Sequence, residues 1–342
     1  MHAGRLDAFL RERIGGLHGP LRLHRVGGGQ SNPTYFADYA SRSLVIRKQP
    51  PGDLLPSAHA IDREYRVMHA LAATDVPVPR MVLFHADRDI VGTPFYVMER
   101  IEGRVFADHA LSGVTPDERR AMYLSMAATL ARLHRVDVAA VGLADFGRPG
   151  NYFARQVARW SRQWQASRTR DNPWLDRLVE WLPMHIPSSE ETAICHGDFR
   201  IGNLMFHPTQ PHVVAVLDWE LSTLGHPLAD VAFNAMAWRC LPSEYGGLRG
   251  LDLAQLGIPD EQSYLAHYYA CAQRSDEAQP FHFAFALFRF AVIFEGIAAR
   301  AAAGNAASDD AAAVGALGAA FARRAIEALE DDTTTGAGPV DG

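Results

Sequence analysis

Up to about residue 100, the apolar positions come in short runs: 21–26, 35–39, 44–47, 81–85 and 95–100, separated by Gly, Pro, Asn and Asp. Runs this short, bounded by turn formers, predict strands. One stretch differs. Ile61, Tyr65, Met68 and Leu71 recur at helical spacing and predict a helix over 57–73, with Ser57 as N-cap in a preceding turn. After Gly103 the pattern becomes helical, over 116–134, 151–168, 174–183, 228–238, 262–273, 281–303 and 311–328. The one β element expected there is a hairpin. Leu204-Met205-Phe206 and the run Val213 to Leu217 are apolar, and Pro208, Thr209, Gln210 and Pro211 separate them. Strands followed by helices predict an α+β fold with segregated lobes. Residues 1–100 would form an antiparallel sheet with one helix, and 101–330 a larger, mainly helical lobe. Residues 331–342 have little to bury and are expected to be disordered.

The chemistry concentrates at that hairpin. The loop before it reads Cys195-His196-Gly197-Asp198-Phe199-Arg200-Ile201-Gly202-Asn203, and the strand after it ends Val216-Leu217-Asp218-Trp219-Glu220. Phosphoryl transfer needs a carboxylate to orient the attacking hydroxyl and oxygen ligands to hold Mg²⁺ against the phosphates. Asp198 can do the first. Asn203 and Asp218 can do the second, since Mg²⁺ takes carboxylate and amide oxygens. The hairpin is expected to fold Asp218 back beside the loop bearing Asp198 and Asn203.

These residues resemble the signature of the aminoglycoside phosphotransferase and choline kinase superfamily, His-Gly-Asp-x-x-x-x-Asn followed by an Asp in an apolar context. The likeness runs from about Leu21 to about Arg300 and implies a bilobal protein-kinase-like fold. By it, Asp198 resembles the catalytic base, Asn203 and Asp218 the metal ligands, and His196 a loop-organising residue. Asp230 resembles the buried Asp that braces the catalytic loop, and His134 a structural residue. The stretches Arg47-Lys48-Gln49-Pro50-Pro51-Gly52 and Ile61-Asp62-Arg63-Glu64 are similar to the branch fused in animals to certain acyl-CoA dehydrogenases.

On the nucleotide side, Gly28, Gly29, Ser31 and Asn32 lie between two strand-like runs and suit a loop that covers phosphates. In a kinase fold, one cation at the end of the strand over 44–47 contacts the phosphates and pairs with a helix Glu. Arg47 and Lys48 both qualify. Neighbours on a strand face opposite sides, so only one can serve, and the other would be solvated. Glu64 is the expected partner. The run through Met98, Glu99 and Ile101 resembles the hinge between lobes. There the backbone of Glu99 and Ile101 would bond the adenine edge, with Met98 near the ring, and a cleft between lobes is where a nucleotide usually lies.

The chain has 342 residues, 48% hydrophobic and 21% charged, with a net charge of −6. That is an ordinary globular composition. It argues against nucleic acid as the main partner, because no basic stripe is present to neutralise phosphates. Arg155, Arg159, Arg162, Arg168 and Arg170 fall on one helical stretch and read as a solvated face, or as a receiver for an acidic substrate such as a CoA phosphate. Three cysteines, Cys195, Cys240 and Cys271, fit a reducing cytoplasm and form no zinc motif. Cys195 reads as a small buried hydrophobe. Residues 281–294 are apolar but carry Arg289 and read as a buried helix rather than a membrane span.

In the family, the acceptor pocket is built by helices after the second Asp, which makes Trp238, Arg239, Tyr268, Tyr269, Arg289 and Glu295 its candidates here. Arg289 and Glu295 interrupt an apolar helix, so they would line a pocket or pair with buried polar groups. One Glu is thin support for a polycationic aminoglycoside. The expected activity is Mg²⁺-dependent transfer of the γ-phosphate of ATP, with GTP also compatible, to a small-molecule hydroxyl. The resemblance implies a hydroxyacyl-CoA or related hydroxy compound. The alternative from another class is a nucleotide-binding scaffold without turnover. Protein kinase activity is disfavoured by Asp218-Trp219-Glu220 in place of Asp-Phe-Gly.

Overall fold

The computed structural model describes residues 2–27, 32–52, 60–302, 315 and 317–335. Gly28, Gly29, Ser31 and Ser57 lie outside these. The chain divides into two compact units that do not follow sequence order. The first is Met1–Val105, Asp137–Ala144 and Asn203–Ser222; the second is Phe106–Val136, Asp145–Gly202 and Thr223–Gly342. The hairpin therefore belongs with the N-terminal sheet, and the division falls between Gly202 and Asn203.

The first unit holds strands β1 (Arg22–Arg25), β2 (Thr34–Asp38), β3 (Ser43–Lys48), β4 (Met81–His85) and β5 (Phe95–Glu99). They form one antiparallel sheet in the order β1-β2-β3-β5-β4. The central strand β3 is buried from Leu44 to Ile46, as a strand with neighbours on both sides should be. Two helices accompany the sheet instead of the one expected. The additional helix, α1 (Ala3–Arg13), buries Leu6 and Leu10 in a core with Ala37, Leu44, Ile46 and Phe95. Helix α2 (Ile61–Leu71) buries Ile61, Glu64, Val67, Met68 and Leu71. A carboxylate thus sits on the core-facing stripe, where an ionised group needs a partner.

The hairpin is present as β8 (Leu204–Phe206) and β9 (Val213–Val216), and it is not alone. The two-residue strand β6 (Arg104–Val105) pairs with β8, giving a three-stranded sheet in the order β6-β8-β9.

In the second unit, β7 (Ala193–Cys195) pairs with β10 (Thr223–Gly225), a further β element the periodicity did not predict. The remainder is helical: α3 (Pro116–His134), α4 (Tyr152–Ser167), α5 (Pro173–Trp181), α6 (Pro227–Arg239), α7 (Leu253–Leu256), α8 (Glu261–Ala272), α9 (Pro280–Ala302) and α10 (Leu317–Thr335). Helix α3 starts at a strong signal. Thr115 caps it by accepting from the Glu118 N–H, and Pro116 occupies the first turn. Helix α6 is buried almost all round, and α9 packs on α4, α6 and α10. By length and composition α9, with 23 residues, could cross a membrane, but 78% of its most apolar window is buried inside the protein. Helix α10 continues to Thr335, so the backbone of 331–335 is helical where disorder was expected. Residues 336–342 lie outside the described residues.

Candidate functional site

Strand β3 decides between the two cations. Arg47 Nε lies 2.9 Å from Glu64 Oε2, and its Nη2 donates to Asp218 Oδ1 at 2.6 Å. Lys48 faces the other way and is half-buried, not solvated: its Nζ donates to the Val91 carbonyl at 2.8 Å. Glu64 is only 1% exposed and also accepts from Asn32 Nδ2 at 2.6 Å and Tyr96 Oη at 3.0 Å. Burial pushes the Glu64 carboxyl above its ordinary range, and Arg47 offsets that only in part. For Arg47, burial opposes the charge, but Glu64, Tyr96 and Asp218 outweigh it and hold the guanidinium above its ordinary value. The cation therefore persists at any physiological pH.

One nucleotide-side expectation changes, and the Glu99 side chain proves to be engaged elsewhere. The Asn32 side chain, expected near phosphates, is spent on Glu64. Glu99, expected at the adenine edge, has its N–H bonded to the Arg80 carbonyl at 2.9 Å, and its carboxylate accepts from Arg42 at 2.7 Å and Arg80 at 2.6 Å. Met98 pairs in register with Val45 on β3 and Met81 on β4 and is half-buried, as is Ile101.

The hairpin sets the two candidate oxygen donors, Asn203 and Asp218, side by side. The N–H of Leu217 donates to the Asn203 carbonyl at 2.8 Å, so Asp218 follows directly beside Asn203. Asp218 has φ +65° and ψ +60°, a left-handed conformation that costs a non-glycine residue roughly 1 kcal/mol or more. Its side chain is 35% exposed, while Asn203 is buried. A carboxylate and an amide are the hard oxygen donors Mg²⁺ takes. The Arg47 guanidinium already drawn to Asp218 shows that the position attracts positive charge. The residues present fit the ion.

In the second unit, the loop bearing His196 and Asp198 leaves β7 and is held from beneath by α6. Asp230, buried in the first turn of α6, accepts the N–H of His196 at 2.5 Å and of Gly197 at 2.9 Å. Burial would raise the Asp230 carboxyl, but His134, His196 and the Gly197 N–H together hold it below its usual range. His134 Nε2 lies 3.5 Å from Asp230 Oδ2, and its Nδ1 is 2.7 Å from Tyr268 Oη. Gly197 turns at φ +82°, where a side chain would be strained. The Asp198 N–H donates to His196 Nδ1 at 3.2 Å, which puts that ring's proton on Nε2. His134, Cys195 and Asp230 also gather within 4.8 Å, a grouping their spacing did not reveal. Asp230 is occupied by backbone donors, however, and burial holds the Cys195 thiol well above its ordinary value. That suits packing rather than ligation.

The residues expected to form the acceptor pocket do not gather round one. Trp238 donates to the Pro259 carbonyl at 2.9 Å. Arg239 pairs with Glu261 at 2.8 Å over the Phe283 ring. Tyr268 is taken by His134, and Tyr269 Oη accepts the Ala278 N–H. Arg289 Nη2 donates to the Gly197 carbonyl at 2.7 Å, its guanidinium near the Trp160 and Phe233 rings, so it braces the loop bearing Asp198. Glu295, fully buried, accepts from Arg170 at 2.9 Å and Asn172 at 3.2 Å. Of the supposed solvated arginines, Arg170 is therefore an ion-pair partner. Arg155 caps the Arg148 carbonyl, and Arg168 pairs with Asp171. Two loop-holding residues escaped the sequence reading: Asn234 Nδ2 donates to the Phe199 carbonyl at 3.0 Å, and Arg200 Nε to Asp198 Oδ2 at 3.3 Å. Arg200 sits inside the motif itself, which was the available signal.

The sequence model of the phosphotransferase enzyme family matches residues 22–267. Acyl-CoA dehydrogenase family member 10 of Mus musculus is 45% identical over 311 residues, covering 89% of this chain and 29% of that protein. The chain thus spans under a third of that relative's length. The crystal structure of a candidate aminoglycoside phosphotransferase from Ralstonia eutropha superposes with a TM-score of 0.89 at 44% identity, covering 96% of this chain and 98% of that one. A thermostable mutant of aminoglycoside phosphotransferase APH(4)-Ia, solved with AMP-PNP and hygromycin B, gives a TM-score of 0.60 at 17% identity over 94% of this chain and 99% of its own, a likeness of fold alone.

Proposed function

The chain belongs to the phosphotransferase enzyme family, and from that premise we propose that it moves the γ-phosphate of ATP to a hydroxyl of a small molecule in a Mg²⁺-dependent reaction. The observation that carries this reading is the Arg47 bridge. One permanent cation, fixed by buried Glu64, reaches the carboxylate of Asp218 beside Asn203.

Asp198 orients the acceptor hydroxyl and takes its proton. The acceptor oxygen forms the new bond to the γ-phosphorus, the bond from that phosphorus to the bridging oxygen breaks, and ADP leaves with its electron pair. Arg47 supplies a planar fork to the donor phosphates where a lysine would supply a point charge. Asn203 and Asp218 would hold Mg²⁺, which neutralises charge developing on the phosphates. His196, Asp230 and Arg289 keep the loop fixed, so its carboxylate needs no reorganisation.

Similarity to the dehydrogenase-fused relative supports a hydroxylated acyl compound as acceptor. The test is Mg²⁺-dependent ADP formation across hydroxyacyl-CoAs, free hydroxy acids, choline, sugars and aminoglycosides. Turnover with an acyl class is expected, falling by roughly 10²–10⁴ in Asp198→Asn with ATP binding retained. Bound ATP without transfer to any acceptor would favour a scaffold, and absence of nucleotide binding would overturn the kinase reading.

A further inference from the structure

A carboxylate facing an arginine commonly takes it with two parallel bonds. Three pairs in the second unit do so. Arg324 donates to both oxygens of Glu244 at 2.8 and 2.9 Å, Arg274 to both of Glu191 at 2.9 and 2.5 Å, and Arg170 to both of Glu295 at 3.1 and 2.9 Å. Arg47 does not. Its Nε approaches Glu64 Oε2 to 2.9 Å, yet among the described residues that N–H has no hydrogen-bond acceptor on its axis. Its Nη2 turns away to Asp218 Oδ1 at 2.6 Å. The cause lies on Glu64. Asn32 Nδ2 donates to Oε1 at 2.6 Å and Tyr96 Oη to Oε2 at 3.0 Å, so each oxygen already holds a neutral donor. One such donor is not enough to open a fork. Glu295 keeps both bonds from Arg170 while its Oε1 also accepts from Asn172 at 3.2 Å. Glu64 carries two, one on each oxygen. Asn32, Glu64 and Tyr96 are all fully buried, and Tyr96 stands opposite Arg47 across the β3–β5 ladder.

Resting on the kinase reading above, we infer that Asn32 and Tyr96 are positioning residues for the nucleotide. By dividing Glu64 between them they keep Arg47 from closing on it with two bonds, so the outer edge of the guanidinium stays available to Asp218 and to the donor phosphates. Each acts through Glu64 and Arg47 rather than by touching a phosphate. A lysine has one head and no fork to close, so the arrangement belongs to the arginine this chain carries.

The experiment measures ATP affinity by calorimetry, with and without Mg²⁺, for Tyr96→Phe and for Asn32→Ala, each in wild type and in Arg47→Lys. In wild type each substitution is expected to weaken ATP about tenfold or more, the worth of one hydrogen bond to a charged group. In Arg47→Lys the same substitutions are expected to change the affinity by less than about twofold, because an ammonium cannot exchange one contact for a parallel pair. A general loosening of the fold would weaken ATP in both backgrounds. If one of the substitutions leaves ATP affinity unmoved, or both weaken it equally in Arg47→Lys, the positioning role is overturned and the kinase reading stands. If wild type binds no nucleotide, the kinase reading falls and urea unfolding decides the positioning role. Asp218→Asn should then lower the midpoint in wild type, and by less than about half as much in Tyr96→Phe or Asn32→Ala, where Arg47 has closed on Glu64. Equal shifts in all three would overturn the role.

Discussion

Arg47 holds Asp218 Oδ1 at 2.6 Å through Nη2 while its Nε lies 2.9 Å from Glu64 Oε2. One guanidinium thus spans from a buried helix carboxylate, by ion pairing, to a partly exposed candidate metal ligand, by a hydrogen bond, a reach a compact ammonium cannot match. Removing the cation leaves Glu64 buried and short of charge. Arg47→Ala is expected to cost about 3 kcal/mol, near the lower end for breaking a buried pair because Tyr96 and Asn32 remain as donors. Arg47→Lys should cost roughly half as much, since it keeps one of the two contacts. Urea unfolding at neutral pH checks the order. Equal midpoints for all three proteins would contradict it.

Glu295 separates a structural from an acceptor-binding role. Its carboxylate is fully buried and bound by Arg170 and Asn172. Glu295→Gln should lower stability by about 2 kcal/mol, discounted because the Arg170 side chain is 41% exposed. The KM for the acceptor should stay within about twofold of wild type, less than the loss of one hydrogen bond. A large rise in KM at unchanged stability would return Glu295 to the acceptor site.

The first sheet was legible because strands β1 to β5 are local: short runs cut by Gly, Pro, Asn and Asp. The residues proposed for phosphoryl transfer stand out for the same reason, since Asp198, Asn203 and Asp218 lie within one short stretch. Helix α1 was not, because only Leu6 and Leu10 are fully buried among charged neighbours, too few to show a period. Strands β6, β7 and β10 have two or three residues each, below the length at which alternation is visible. The Arg47 and Lys48 alternatives differ only in which face of β3 meets α2, a tertiary fact. Arg289 reaches Gly197 across 92 residues and Arg170 reaches Glu295 across 125. No local pattern carries such pairings, so Arg170 reads as solvated from the sequence and the two alternatives for Arg289 stay undecided there.

Asp230 gives a prediction on the acidic side. Its folded-state carboxyl lies below the ordinary value near 3.8 because His134, His196 and the Gly197 N–H outweigh the burial that would raise it. A depressed folded value means the stabilisation is fully present above the unfolded value and is lost as pH falls through the folded one. Asp230→Asn should therefore unfold more easily than wild type at pH 7, with the gap closing below about pH 4. Asp230→Ala should fare worse at every pH, by about 1–3 kcal/mol for each buried N–H left without an acceptor. A gap between Asp230→Asn and wild type that is independent of pH would contradict the assigned charge.

His282 governs a higher window, and the sign follows from the same linkage. It is buried against Phe153 and Phe281, its Nδ1 accepts the Gln279 N–H at 2.9 Å, and burial followed by neighbouring His226 lowers its pKa from 6.5 to about 4. A histidine whose folded value is depressed is neutral in the native state and takes up its proton more readily when unfolded. Its contribution is therefore whole above about pH 6.5 and drains away as pH falls towards 4, on the order of 3 kcal/mol in all. His226, lowered by burial in the same direction, adds to the slope. His282→Asn keeps an acceptor for the Gln279 N–H but cannot titrate. Its unfolding free energy should fall less steeply than that of wild type between pH 6.5 and 4, with the two curves parallel above pH 7. Denaturant titrations at half-unit steps would show this. Curves that stay parallel throughout would mean that His282 opens to solvent and protonates without unfolding the helices that bury it.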